Sequence, residues 1–78
     1  MTHWAIRAKA ENVDRALEII RGNADRGQET DLIALYDIFQ SAYKVNPSNV
    51  DKILSELEKS EKITVDYVLK IITLKVKK

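Results

Sequence analysis

The chain has no cysteine. That excludes a disulfide framework, a thiolate zinc site and a cysteine nucleophile, and it points to a reducing compartment, the cytoplasm, where the core must hold without covalent staples. Histidine is almost as scarce. His3 is the single one, so one chain can assemble neither a multi-histidine metal site nor a nucleophile–histidine–acid arrangement. The two glycines, Gly22 and Gly27, do not have the spacing of a phosphate-cradling loop. From these gaps we expect no enzyme, no metal, no cofactor and no small-molecule ligand. No apolar stretch approaches the roughly 20 residues that cross a bilayer, and Met1-Thr2-His3-Trp4 does not open like a secretory signal. A membrane partner is not expected.

What the chain does have is a close mixture of apolar and charged residues, 45% and 32% of its 78 positions, with Pro47 the only proline. This texture belongs to a folded domain built almost wholly of regular elements, and the length admits one domain, 1–78. A lone core of this size supplies only roughly 3–5 kcal/mol. A second copy would enlarge the buried surface, so a homodimer formed through terminal elements is expected. Charge balances overall, 13 basic residues against 12 acidic, but not along the chain. Asp31, Asp37, Asp51, Glu56, Glu58 and Glu61 outnumber Lys44, Lys52 and Lys59 in the middle, whereas Lys62, Lys70, Lys75, Lys77 and Lys78 face only Asp66 in the tail. Attraction for phosphate is concentrated at the C-terminal end.

Hydrophobic spacing divides the chain into elements. Residues 4–10 place Ile6, Ala8 and Ala10 on one side and Arg7 and Lys9 on the other, the period of a half-buried strand; the alanines equally allow an early extension of the first helix. Trp4 is expected to close the core or to lie in a dimer interface. Asn12 is read as the cap of helix one, whose stripe is Val13, Ala16, Leu17 and Ile20, and Gly22 or Gly27 as its end. Thr30 is read as the cap of helix two. There Leu32, Leu35, Tyr36, Phe39 and Tyr43 recur at helical spacing and Ile33 and Ile38 widen the stripe, so this helix is expected to be covered on more than one side, with its aromatics in the core.

Pro47 is the most informative residue. It fixes its own φ, lacks an N–H and disfavours the α conformation at Asn46, so helix two must stop before Asn46 and a third helix can start with Pro47 in its first turn and Asn46 as cap. Val50, Ile53, Leu54 and Leu57 then form the inward stripe, with Ser48, Asn49, Lys52, Ser55, Glu56 and Lys59 outward. The connection of about three residues is that of a helix-turn-helix or a helical hairpin. From Ile63 onward the texture turns β-branched. Ile63, Val65, Tyr67 and Leu69 alternate with Thr64, Asp66, Val68 and Lys70, and the parity flips near Lys70-Ile71 to Ile72, Leu74 and Val76, which predicts a turn or bulge between paired strands. The rival for 64–76 is a fourth helix, because Val65, Val68, Leu69 and Ile72 also fit a helical stripe after Thr64, and no Asn-Gly or Asp-Gly marks a turn.

The run Val45-Asn46-Pro47-Ser48-Asn49-Val50-Asp51-Lys52-Ile53-Leu54-Ser55-Glu56-Leu57-Glu58-Lys59, followed by Ser60-Glu61-Lys62-Ile63, resembles the turn and recognition helix of winged helix-turn-helix regulators. The likeness extends over about 35 residues from Asp31 to Ile63. It departs at Glu61, where that family usually has glycine, and in the wing, which has neither glycine nor arginine at its tip. The resemblance implies an α+β fold, a three-helix winged helix-turn-helix with a C-terminal β-hairpin and an optional N-terminal strand. It also implies a double-stranded DNA-binding transcriptional regulator whose recognition helix, about 47–60, enters the major groove. Ser48, Asn49, Lys52 and Ser55 would reach base edges, Asn49 by bonding an adenine edge bidentately; Lys44, Lys59, Lys70, Lys75 and Lys77 would hold phosphates. Asp51, Glu56, Glu58 and Glu61 leave residues 48–62 at −1 against Lys52, Lys59 and Lys62. They support an alternative, a winged-helix module that binds protein through the acidic face of the same helix.

Overall fold

The computed structural model of the chain describes residues 9–75. The elements run α1 (Ala10–Asp25), β1 (Thr30–Asp31), α2 (Leu32–Ala42), α3 (Pro47–Lys59), β2 (Ile63–Asp66) and β3 (Ile71–Leu74). This is the α+β layout expected, a three-helix, winged-helix-like arrangement with a C-terminal hairpin. The sheet is antiparallel in the order β1-β3-β2, with Ile63 opposite Leu74, Asp66 opposite Ile71, and Thr30 opposite Ile72. Of the expected strand over 4–10, Ala10 already belongs to α1, and the first eight residues lie outside the described ones.

One core joins all three helices to the sheet. Ala16, Leu17 and Ile20 come from α1, Leu32, Leu35 and Phe39 from α2, and Val50, Ile53, Leu54 and Leu57 from α3; Val45, Ile63 and Ile72 complete it. The stripes of α1 and α3 lie where the apolar periodicity puts them. Helix two departs from expectation. Ile33 is 51% exposed and Ile38 38%, because the other two helices and the sheet cover only the Leu32–Leu35–Phe39 face. Phe39 is fully buried, while Tyr36 is half-buried and Tyr43 lies at the edge, its ring tilted against Phe39 with centroids 5.4 Å apart. The Arg15 guanidinium lies over the Tyr43 ring, 4.4 Å from its centroid, and pairs with Glu11 at 3.1 Å, tying α1 to the end of α2.

The helix ends correct two assignments and confirm one. The N-cap of α1 is Lys9, three residues before the expected cap, since Ala10 and Glu11 favour helix; the Asn12 side chain instead accepts from Arg15. Thr30 is not a cap. It is a buried strand residue whose hydroxyl accepts from Asn23 Nδ2 at 2.9 Å, and Asp31 occupies the N-cap of α2. Asn46 caps α3 as expected, its Oδ1 accepting from the Asn49 N–H at 3.0 Å, with Pro47 in the first turn.

Two of these helices close in the same way. At the end of α1, Gln28 N–H bonds Asn23 O and Gly27 N–H bonds Ala24 O, with Gly27 left-handed at φ 74°. At the end of α3, Lys62 N–H bonds Leu57 O and Glu61 N–H bonds Glu58 O, with Glu61 left-handed at φ 59°. Gly27, not Gly22, ends α1. Glu61 adopts the conformation that glycine takes most easily.

The hairpin resolves the choice over 64–76 against a fourth helix. Its loop has four residues, 67–70, so no two-residue Asn-Gly turn is needed. Asp66 Oδ1 accepts the Val68 and Leu69 N–H groups, each at 3.0 Å, and Lys70 closes the loop at φ 59°. This turn ends the alternation early. Tyr67 and Leu69, expected on the inward face of a strand, stand in the loop at 51% and 66% exposure.

Candidate functional site

Helix α3 is held by its apolar stripe and by the Asn46 cap, and its opposite face is open. At 100° per residue Ser48, Lys52, Ser55 and Lys59 fall on one line directly opposite that stripe, about 16 Å from end to end. All four are exposed. No carboxylate stands on the line, and α3 carries no acidic residue in its first turn. Ser48 Oγ reaches Asn46 Oδ1 at 3.1 Å, so the start of the line is tied to the cap. Asn49 is exposed but sits about 100° round the helix from Ser48.

The acidic residues lie on the flanks. Asp51 accepts a hydrogen bond from the Tyr36 hydroxyl of α2, and Glu58 accepts a long one, 3.5 Å, from the Tyr67 hydroxyl of the wing loop. Burial, then the hydrogen bond and charge of Asp51, push the Tyr36 phenol up to about 12. Burial, then the charges of Glu58 and Asp51, push Tyr67 up as well. Both phenols therefore stay protonated and donate throughout the neutral range. Glu56 is half-buried on the side where Asn49 lies. These tyrosine–carboxylate pairs were not foreseen. Tyr36 reads as core by helical spacing, and only the packing of α2 against α3 brings its hydroxyl to a residue 15 positions away.

The expected phosphate-holding lysines are not gathered together. Lys44 stands exposed and left-handed, φ 57°, between α2 and α3. Lys59 ends the outward line of α3. Lys70 is in the wing loop, where its carbonyl accepts the Leu32 N–H. Its near neighbours in the sheet are the acids Asp66 and Asp31. Lys75 is at the other end of the hairpin, its N–H on the Lys62 carbonyl at 2.9 Å, and Lys77 lies outside the described residues. Beside Lys75 a cleft of about 340 Å³ opens between α1, the end of α3 and β3, with Leu17 and Leu74 inside and Arg21, Lys62, Lys75 and Glu61 around it. Arg21 and Lys62 were not among the expected site residues, since nothing in their local spacing marks them. Among the described residues no group of histidine, cysteine and carboxylate side chains could hold a metal ion, and no helix is long and apolar enough to cross a membrane. Comparison of the chain with protein-family models, with curated proteins and with solved structures finds no match.

Proposed function

We propose that the protein binds double-stranded DNA as a transcriptional regulator of the winged helix-turn-helix kind, working in the cytoplasm as a homodimer. The observation that carries this reading is the outward line of α3. It offers two hydroxyls and two ammonium groups, with no carboxylate among them, on a helix whose fold leaves that face uncovered. A helix presented in this way fits the major groove, where Ser48, Lys52 and Ser55 would meet base edges and Asn49 would reach an adenine from the flank. Lys44, Lys59 and Lys75 would hold phosphates, joined by Lys70 if the wing tips toward the duplex and by Lys77 beyond the described residues.

Fluorescence anisotropy of a labelled duplex pool, titrated across salt, tests it. With Lys44, Lys59 and Lys75 on phosphates, log affinity should fall against log salt with a slope of about −3. Lys59→Ala should reduce that slope by about 1, and Asn49→Ala should cost roughly 1–3 kcal/mol at a single base position. A duplex pool that is not bound at all ends this reading.

A second reading draws on a different feature. Tyr67, Val68 and Leu69 put three apolar side chains on the wing loop at 51%, 89% and 66% exposure, with Glu58 and Asp66 alongside. Such a tip suits a protein surface better than a phosphate ribbon. Shift mapping separates the two, because DNA binding perturbs Ser48 to Lys59, whereas a protein partner on the tip perturbs 67–70.

A further inference from the structure

The apolar wing loop and the cationic cleft stand at opposite ends of one hairpin. Asp66 opposite Ile71 marks the loop end, and Ile63 opposite Leu74 the cleft end. The loop is a fixed protrusion. Its Val68 and Leu69 N–H groups both donate to the Asp66 carboxylate, and Val68, 89% exposed, is the most exposed large hydrophobic residue among the described residues. Its surroundings are acidic, with Asp66 beneath it, Glu58 on the Tyr67 hydroxyl and Asp31 next along the sheet, against Lys70 alone. The cleft is its complement. Leu17 and Leu74 give it an apolar lining, and Arg21, Lys62 and Lys75 surround this lining against Glu61 alone. At about 340 Å³ the cleft has room for one or two branched aliphatic side chains. None of these three cations is ion-paired within the described residues.

We propose that the cleft receives the wing loop of a second copy of this chain, so that molecules join head to tail. Val68 and Leu69 of one molecule enter between Leu17 and Leu74 of the next, while Asp66 and Glu58 meet Lys62, Lys75 and Arg21. Burial of the aliphatic pair drives the contact and the opposed charges set its direction. The contact is heterologous, because knob and hole are different surfaces lying at opposite ends of the hairpin. One molecule can therefore use both at once, and growth does not stop at two unless a ring closes. The inference needs no DNA and stands apart from the proposed function. Two residues in one cleft make an interface at the small end of the range, below about 1,200 Å².

Sedimentation velocity on the DNA-free protein tests it. An association on the order of 100 μM should make the weight-average mass climb past that of a dimer between ~10 μM and ~1 mM, and salt of ~0.5 M should weaken it. Val68→Asp removes the knob, and Lys62→Glu with Lys75→Glu removes the hole. All three positions are exposed, so the core is untouched. Each variant alone should lose association by more than about tenfold. Mixed one to one, the cleft of the first variant and the loop of the second are both intact, and the mixture should recover association. A wild-type protein that stays monomeric, a closed dimer insensitive to both variants, or a mixture that does not associate would each overturn the proposal.

Discussion

Replacing Glu61 by glycine should stabilise this protein, although no contact is added. Glu61 is left-handed at φ 59°, one residue past the C-cap of α3, and the Lys62 N–H to Leu57 carbonyl bond depends on that conformation. An L-residue spends roughly 1–2 kcal/mol in this region, whereas glycine enters it freely. Removing a carboxylate from the negative end of a helix adds about 0.3–1 kcal/mol at low salt. Against these, glycine makes the unfolded chain more flexible by roughly 0.5–1 kcal/mol. The balance is a gain of about 1 kcal/mol, which for a chain of this size raises Tm by about 4–8 °C. Gly27→Ala supplies the mirror experiment. Gly27 has φ 74° in the equivalent place on α1, and nothing lies within 4 Å of an added Cβ, so the substitution changes backbone strain without a clash. It should cost about 1 kcal/mol. Urea unfolding followed by circular dichroism reads both, with the slope m unchanged if only stability moves. A Glu61→Gly protein no more stable than wild type, beside a weakened Gly27→Ala protein, would show that the Glu61 side chain compensates its own strain and would refute the reasoning.

Three other substitutions probe the remaining links. Asn46→Ala removes the acceptor for the Asn49 N–H and should cost about 1 kcal/mol, seen as a lower urea midpoint. Phe39→Ala empties the most voluminous fully buried site among the described residues; a loss of about 3–5 kcal/mol is a large part of the stability of so small a domain, and calorimetry should find a strongly depressed or absent transition. Tyr36→Phe tests the Asp51 pair through alkaline pH. The folded phenol titrates at about 12 against 10.0 unfolded, so the native state keeps a proton that the unfolded chain has lost. That contribution is complete below about pH 10 and fades as pH rises through 12. The stability gap between wild type and Tyr36→Phe should therefore narrow over this window, and a gap constant from pH 9 to the onset of alkaline unfolding would contradict the assignment.

Much of the architecture was legible because it is written in local rules. The α3 stripe, the Asn46 cap and the start at Pro47 each follow from one turn of chain, and the structure has all three. Strand texture past Ile63 outweighed the competing helical spacing for the same reason, since β-branched side chains lose χ1 freedom in a helix. Two of the errors fall where the tertiary surroundings decide. Thr30 has the chemistry of a cap, but pairing with Ile72 and the amide of Asn23 make it a strand residue. Ile33 and Ile38 have the chemistry of a core, but both stand exposed, because the described elements pack on the opposite face of α2.

The candidate site divides along the same line. That Ser48, Lys52, Ser55 and Lys59 share one helix face was settled by sequence alone, because helical geometry orders residues four apart before any packing occurs. Tertiary structure alone decided that Asp51 and Glu58 face tyrosines from other elements, and that Arg21, Lys62 and Lys75, from three parts of the chain, surround one cleft. Periodicity reports which side of its own helix or strand a residue occupies. It carries no information about what stands opposite, which is set by how the helices cross and how the strands pair.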